Sequence, residues 1–324
     1  MAMESLIRWP GLFLLLKEAL GSVGDNSPFF INCVKNCNVE ICKAGKHEQW
    51  QYKLLGFEVS LWSCLENCEY KCQWKTVEAF QRKNWSIPQF RGKWPFIRFF
   101  GLQEPASVFF SVINFFVVLK LLFLFRKKVP KKTQYYRVWN IFGLVQLNSW
   151  VWSSVYHTRD TDFTERMDYM SAFLLILYSF YAVGLRYTNT NLNLKTLFWS
   201  LFCGSIGLNH LTYLWLYNFD YSYNMKLSCL LGGITAVAWI FWSCLHFQKQ
   251  YFVWKIGVFG LLVFATAFLE LMDFPPILWM IDAHSLWHGS SIIVNIFFFL
   301  FVIDDCQYLN YNQLKTENQV EKLD

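Results

Sequence analysis

Two histidines four residues apart, His284 and His288, open the last long apolar stretch of the sequence, within Asp282-Ala283-His284-Ser285-Leu286-Trp287-His288. On a helix, positions i and i+4 share a face one turn apart, a spacing that lets two imidazoles reach one metal ion. A third histidine, His157, closes an earlier apolar stretch. Three imidazoles with one position left to water describe a catalytic zinc site, because a structural site is closed by four protein ligands. Zn2+ bound in this way lowers the pKa of water to about 7. Asp168 is the candidate to accept that proton, since an acid inside an apolar helix is costly and is usually functional or paired. Ser153 lies one turn before His157 and could orient the water or stabilise a developing oxyanion; Ser149 continues the same stripe. Glu270, Asp273 and Asp282 are candidates to orient the imidazoles from behind, or are solvated loop acids. A lone histidine at a helix end is more often an interfacial residue than a ligand. Here the pair, the third histidine and the acid must be weighed together.

Those residues need elements that bring them to one place. The chain has 324 residues, 55% hydrophobic, 20% aromatic and only 16% charged, which is too apolar for an ordinary soluble domain. Seven apolar runs are each about long enough to cross a bilayer as a helix. They are Pro105–Phe125, Tyr136–Tyr156, Met167–Leu185, Leu194–Leu214, Leu227–Leu245, Phe252–Met272 and His284–Ile303. The net charge of +6 collects between runs, above all in Arg126-Lys127-Lys128-Val129-Pro130-Lys131-Lys132. Membrane topology explains that clustering, and nucleic-acid binding is rejected. The basic loop is expected to be cytoplasmic, which puts the region before the first run in the lumen. His157 then ends the second span, Asp168 begins the third, and His284 and His288 begin the seventh, all near the lumenal boundary. The expectation is an all-α membrane protein, a seven-transmembrane helix bundle. Activated water at that depth suits hydrolysis of a lipid acyl linkage. His210 reads as packing or support, His246 as a span end and His47 as solvated.

Six of the ten cysteines precede the runs: Cys33, Cys37, Cys42, Cys64, Cys68 and Cys72. An even number in a short segment implies an oxidising compartment and a disulfide framework, of connectivity not given by the spacing. Two short helices stapled by up to three bridges is the simplest arrangement. The other four, Cys203, Cys229, Cys244 and Cys306, read as core thiols. Asn84-Trp85-Ser86 is an N-glycosylation sequon. Residues 1–24 read as a signal peptide, a short apolar run interrupted by Lys17 and Glu18, with an uncleaved anchor as the alternative. The expected organisation is thus a signal peptide (1–24), a small disulfide-rich lumenal N-terminal region (25–104), a seven-span hydrolase domain (105–303) and a cytoplasmic tail (304–324).

The pattern Ser153/His157, Asp168 and His284/His288 resembles that of the CREST superfamily of seven-span membrane hydrolases, which includes alkaline ceramidases and adiponectin-receptor relatives. The resemblance implies His157, His284 and His288 as zinc ligands, with Asp168 and Ser153 handling water. Within that group the chain is similar to the Per1-like family. Phe90-Arg91-Gly92-Lys93-Trp94-Pro95-Phe96, His157-Thr158-Arg159-Asp160-Thr161-Asp162, Met167-Asp168-Tyr169 and Glu270-Leu271-Met272-Asp273-Phe274-Pro275-Pro276 carry that likeness. The family implies a GPI-specific phospholipase A2 that removes the sn-2 acyl chain of GPI-anchored proteins, in the Golgi membrane or, in some lineages, the endoplasmic reticulum. A ceramidase-like amidase is the alternative enzyme. A non-catalytic receptor or escort for GPI-anchored proteins is the alternative of a different class.

Overall fold

The computed structural model describes residues 22–44, 52–54, 57–59, 62–188 and 193–320. Most of the expected signal peptide, and His47, lie outside them. The described chain is almost entirely helical and divides into two compact units. One holds the residues up to Pro105 together with Asp273–Ala283; the other holds Ala106–Met272 and the residues from His284 onward.

The first unit is built on two helices, α1 (Pro28–Cys37) and α2 (Cys64–Arg82). Between them lie a π-turn, Asn38–Cys42, and a two-stranded antiparallel hairpin, β1 (Tyr52–Leu54) with β2 (Phe57–Val59). Helix α2 starts where Ser63-x-x-Glu66 forms a reciprocal capping box, each side chain bonding the other residue's backbone N–H. Cys68, Cys72, Thr76 and Phe80 recur every fourth residue and form its buried face. The bridges are nested, Cys33–Cys72, Cys37–Cys68 and Cys42–Cys64, like rungs between antiparallel helices. A residue stepped one turn along α1 thus meets one stepped back a turn along α2. Asn84 is exposed just past the end of α2, in the left-handed region at φ 54°.

The second unit contains a helix over each of the seven apolar runs. These are α3 (Pro105–Lys128), α4 (Tyr136–Thr158), α5 (Asp162–Thr188), α6 (Leu194–Thr212), α7 (Tyr221–His246), α8 (Trp254–Glu270) and α9 (Ala283–Val320). Four are long and apolar enough to cross a membrane: α3, α5, α7 and α9. The other three fall short of that standard. Helix α8 has only 17 residues, and α4 carries buried Gln146, Ser149, Ser153 and His157 on its inner side. Helices α5 and α7 begin earlier than hydropathy alone indicates. Asp162 and Glu165 favour the exposed amides of the first turn of α5, and Asp220 Oδ1 accepts from Tyr223 N to cap α7. Helix α9 does not break where the tail was expected to start but runs on to Val320.

The helices meet around an aromatic core in which Trp139, Phe142, Trp239, Phe298 and Phe301 interlock edge to face or tilted, the geometry that ring quadrupoles favour. A smaller cluster of Phe173, Leu177, Phe180, Cys203 and Leu231 joins α5, α6 and α7. Arg186 of α5 makes two 2.9 Å bonds to the fully buried Asp305 of α9, and the neighbouring Asp304 pairs with Lys255 of α8. The expected core thiols divide: Cys203 and Cys306 are buried, but Cys229 and Cys244 are exposed.

Candidate metal centre

The last turn of α4 and the first two turns of α9 meet, and they bring the three histidines together. His284 Nε2 stands 3.3 Å from His157 Nε2 and 2.9 Å from His288 Nε2. All three ligand atoms lie within 4.8 Å of one another. His157 and His288 are each 2% exposed. A tetrahedral zinc ion with bonds of 2.0–2.1 Å holds its nitrogen ligands roughly 3.3 Å apart, close to the two separations found.

The outer partners of the rings support the same geometry. Glu270, at the end of α8, bonds His284 Nδ1 through both carboxylate oxygens at 2.9 and 3.0 Å. An ionised carboxylate only accepts, so Nδ1 carries the proton and the Nε2 lone pair faces the other two rings. That is the carboxylate–histidine arrangement found behind metal ligands. His288 Nδ1 is 3.2 Å from Ser111 Oγ, and Ser111 Oγ is 3.0 Å from Ser153 Oγ. Trp150 and Trp287 pack their rings against His288, and Trp287 also lies against His284. These two tryptophans wall the site, whereas position alone suggests an interface belt.

The remaining candidate residues are placed as follows. Ser153 is buried and sits in the hydroxyl pair with Ser111. Asp168 lies in the second turn of α5, which packs along α4, and its main-chain carbonyl accepts from Ser171 Oγ. Asp273 accepts from Trp94 Nε1 at 2.7 Å and Gln89 Nε2 at 3.1 Å within the first unit. Asp282 is buried and occupies the position just before α9. His210 pairs with Asn224 at 2.9 Å and stacks on Phe173, a packing role. His246 stacks on Trp242 and bonds its carbonyl. The cysteine group Cys42, Cys64 and Cys68 also brings ligand atoms together, but all three are consumed in disulfides.

Sequence reasoning missed Ser111. Its signal was available: Ser107, Ser111 and Asn114 recur at i, i+4 and i+7 in the otherwise apolar α3, and all three are buried. A polar stripe inside such a helix faces the protein, and Ser111 and Asn114 find hydrogen-bond partners there.

The pattern of the Per1-like family matches residues 55–306. The chain belongs to the Per1-like family. A "GPI-specific phospholipase A2-like PGAP3" of Danio rerio is 39% identical over 317 residues, covering 96% of this chain and 98% of that protein. The "Post-GPI attachment to proteins factor 3" of Drosophila melanogaster is 41% identical over 288 residues, 86% of this chain and 87% of the relative. The Homo sapiens "GPI-specific phospholipase A2-like PGAP3" is 38% identical over 312 residues, 94% and 95% of the two chains. No solved structure matches. The three histidines all fall inside the matched Per1-like segment.

Proposed function

We propose that this Per1-like chain is a seven-span, lumen-facing hydrolase of the Golgi membrane that remodels GPI anchors by cleaving the sn-2 acyl ester, a phospholipase A2 reaction. The convergence of three imidazole Nε2 atoms backed by Glu270 carries the reading. The names of the relatives supply the substrate class. The disulfide ladder fits a lumenal compartment, and exposed Asn84 fits a glycan acceptor there.

In this reading His157, His284 and His288 hold a zinc ion, with Glu270 fixing the tautomer of His284. When bound, the ion supplies Lewis acidity and water of lowered pKa. Asp168 takes the proton as water adds to the ester carbonyl, and returns it to the glycerol oxygen as the acyl C–O bond breaks. Ser153 supports the oxyanion through the hydroxyl pair it shares with Ser111. Trp150 and Trp287 exclude bulk water from the rings. An apolar cavity of about 830 Å³ lies among α5 to α8, lined by Phe180, Tyr187, Trp199, Cys229, Gly233 and Phe264. None of the residues assigned to the metal centre lines it.

The test is fatty-acid release from GPI-anchored proteins in cells lacking their own remodelling activity. His284→Ala and Asp168→Ala should accumulate normally and release none. Full release by both variants would reject the hydrolase reading.

A further inference from the structure

Helix α3 contributes no histidine, yet it holds His288 at two points. Ser111 Oγ faces the imidazole Nδ1 at 3.2 Å. One turn further along, Asn114 Nδ2 donates to the main-chain carbonyl of His288 at 2.7 Å. Both residues are fully buried. The bond to the ring restrains its rotation, the hydroxyl being able to donate to Nδ1 or accept from it. The bond to the carbonyl fixes how far α9 is shifted along α3.

Asn114 is itself held. Asn295 Nδ2, two turns beyond His288, donates to Asn114 Oδ1 at 2.9 Å, and Gln146 Nε2 of α4 donates to Asn295 Oδ1. Donors and acceptors therefore run one way, from Gln146 through Asn295 and Asn114 to the carbonyl of His288. The same α3 joins α4 a second time through Ser111 and Ser153, one turn before His157. The helices that carry the three histidines are thus keyed to one another through a helix that carries none.

Buried amides between apolar helices often do no more than hold the helices together. These contacts differ in where they end: the amide chain on the His288 carbonyl and Ser111 on its ring, a doubling that would be redundant for adhesion alone, whereas metal ligands depend on such outer bonds for orientation. Resting on the three-histidine metal reading above, we infer that Ser111 and Asn114 are positioning residues that set His288 for metal binding. They act on the site through His288.

Zinc affinity of the purified full-length chain, measured by chelator competition, tests the inference directly. Ser111→Ala should weaken zinc binding about 10- to 100-fold, and Ser111→Thr, which keeps the hydroxyl, should recover most of that loss. Asn114→Ala should weaken binding on the same scale, so that failure of either protein to fold leaves the other to decide. Cobalt-loaded Ser111→Ala should show a shifted visible absorption band, while the melting temperature without metal stays near that of the unaltered chain. Wild-type affinity in Ser111→Ala and Asn114→Ala would overturn the inference and leave the three-histidine reading standing. An unaltered chain that binds no zinc would overturn both.

Discussion

Replacing Glu270 by glutamine isolates one contribution to the metal centre. The glutamine keeps the length of the side chain and a carbonyl oxygen that can still accept from His284 Nδ1. It removes the charge and exchanges the second accepting oxygen for an NH2 group. Loss of an outer partner of a metal-ligating histidine costs roughly 10- to 100-fold in affinity, or about 1.4–2.7 kcal/mol. The side chains of His284 and Glu270 are 33% and 24% exposed, so solvent weakens the charge term and the lower end applies. Glu270→Gln should therefore raise the zinc dissociation constant about tenfold. Glu270→Ala, which also frees the ring to rotate, should raise it toward 100-fold. Chelator competition on the purified chain measures both. Fatty-acid release assayed across a zinc titration should show the Glu270→Gln curve displaced to higher zinc with much of its plateau retained. An unchanged dissociation constant in Glu270→Gln, or an alanine variant no weaker than the glutamine one, would refute this account of the carboxylate.

Other expectations concern the scaffold. Asp305→Ala should lower stability by about 3–5 kcal/mol, because it leaves the Arg186 guanidinium buried without its carboxylate; thermal unfolding in detergent should show this as a marked drop, smaller for Asp305→Asn. Gly184→Ala places a methyl group against the indole of Trp199, whose Nε1 donates to Tyr181 O. It should cost about 1–3 kcal/mol, measurable as a lower melting temperature. Because the bridges are nested, loss of Cys33–Cys72 alone opens only the short ring between it and Cys37–Cys68. Its removal should cost about 3 kcal/mol or less, whereas loss of all three should leave the N-terminal unit protease-sensitive.

The histidine centre was legible in the sequence because helical spacing and the alternating direction of successive spans constrain depth strongly. Spacing puts His284 and His288 on one face, and direction places His157 at the same end. The backing of the rings was less legible. Glu270, Asp273 and Asp282 look alike as acids near a helix end, and only the packing shows Glu270 on His284 while Asp273 bonds Gln89 and Trp94. Ser111 escaped notice because a serine in an apolar helix often satisfies itself on the carbonyl four residues back; its partners come from α4 and α9, which one helix cannot reveal. The cysteine spacing gave two helices but no pairing, since six cysteines allow fifteen connectivities and antiparallel packing selects the nested one. Hydropathy located seven helices but overstated how uniformly apolar they are. The inner face of α4 is polar because the site needs it so.

Two of the three imidazoles sit on the final helix, 127 residues downstream of the first. During synthesis, the eight helices α1 to α8 must leave the ribosome before the ligand set exists at all. A nascent chain that ends before α9 thus holds only one of the three imidazoles, and on the proposed reading it has no metal centre to turn on the bilayer containing it.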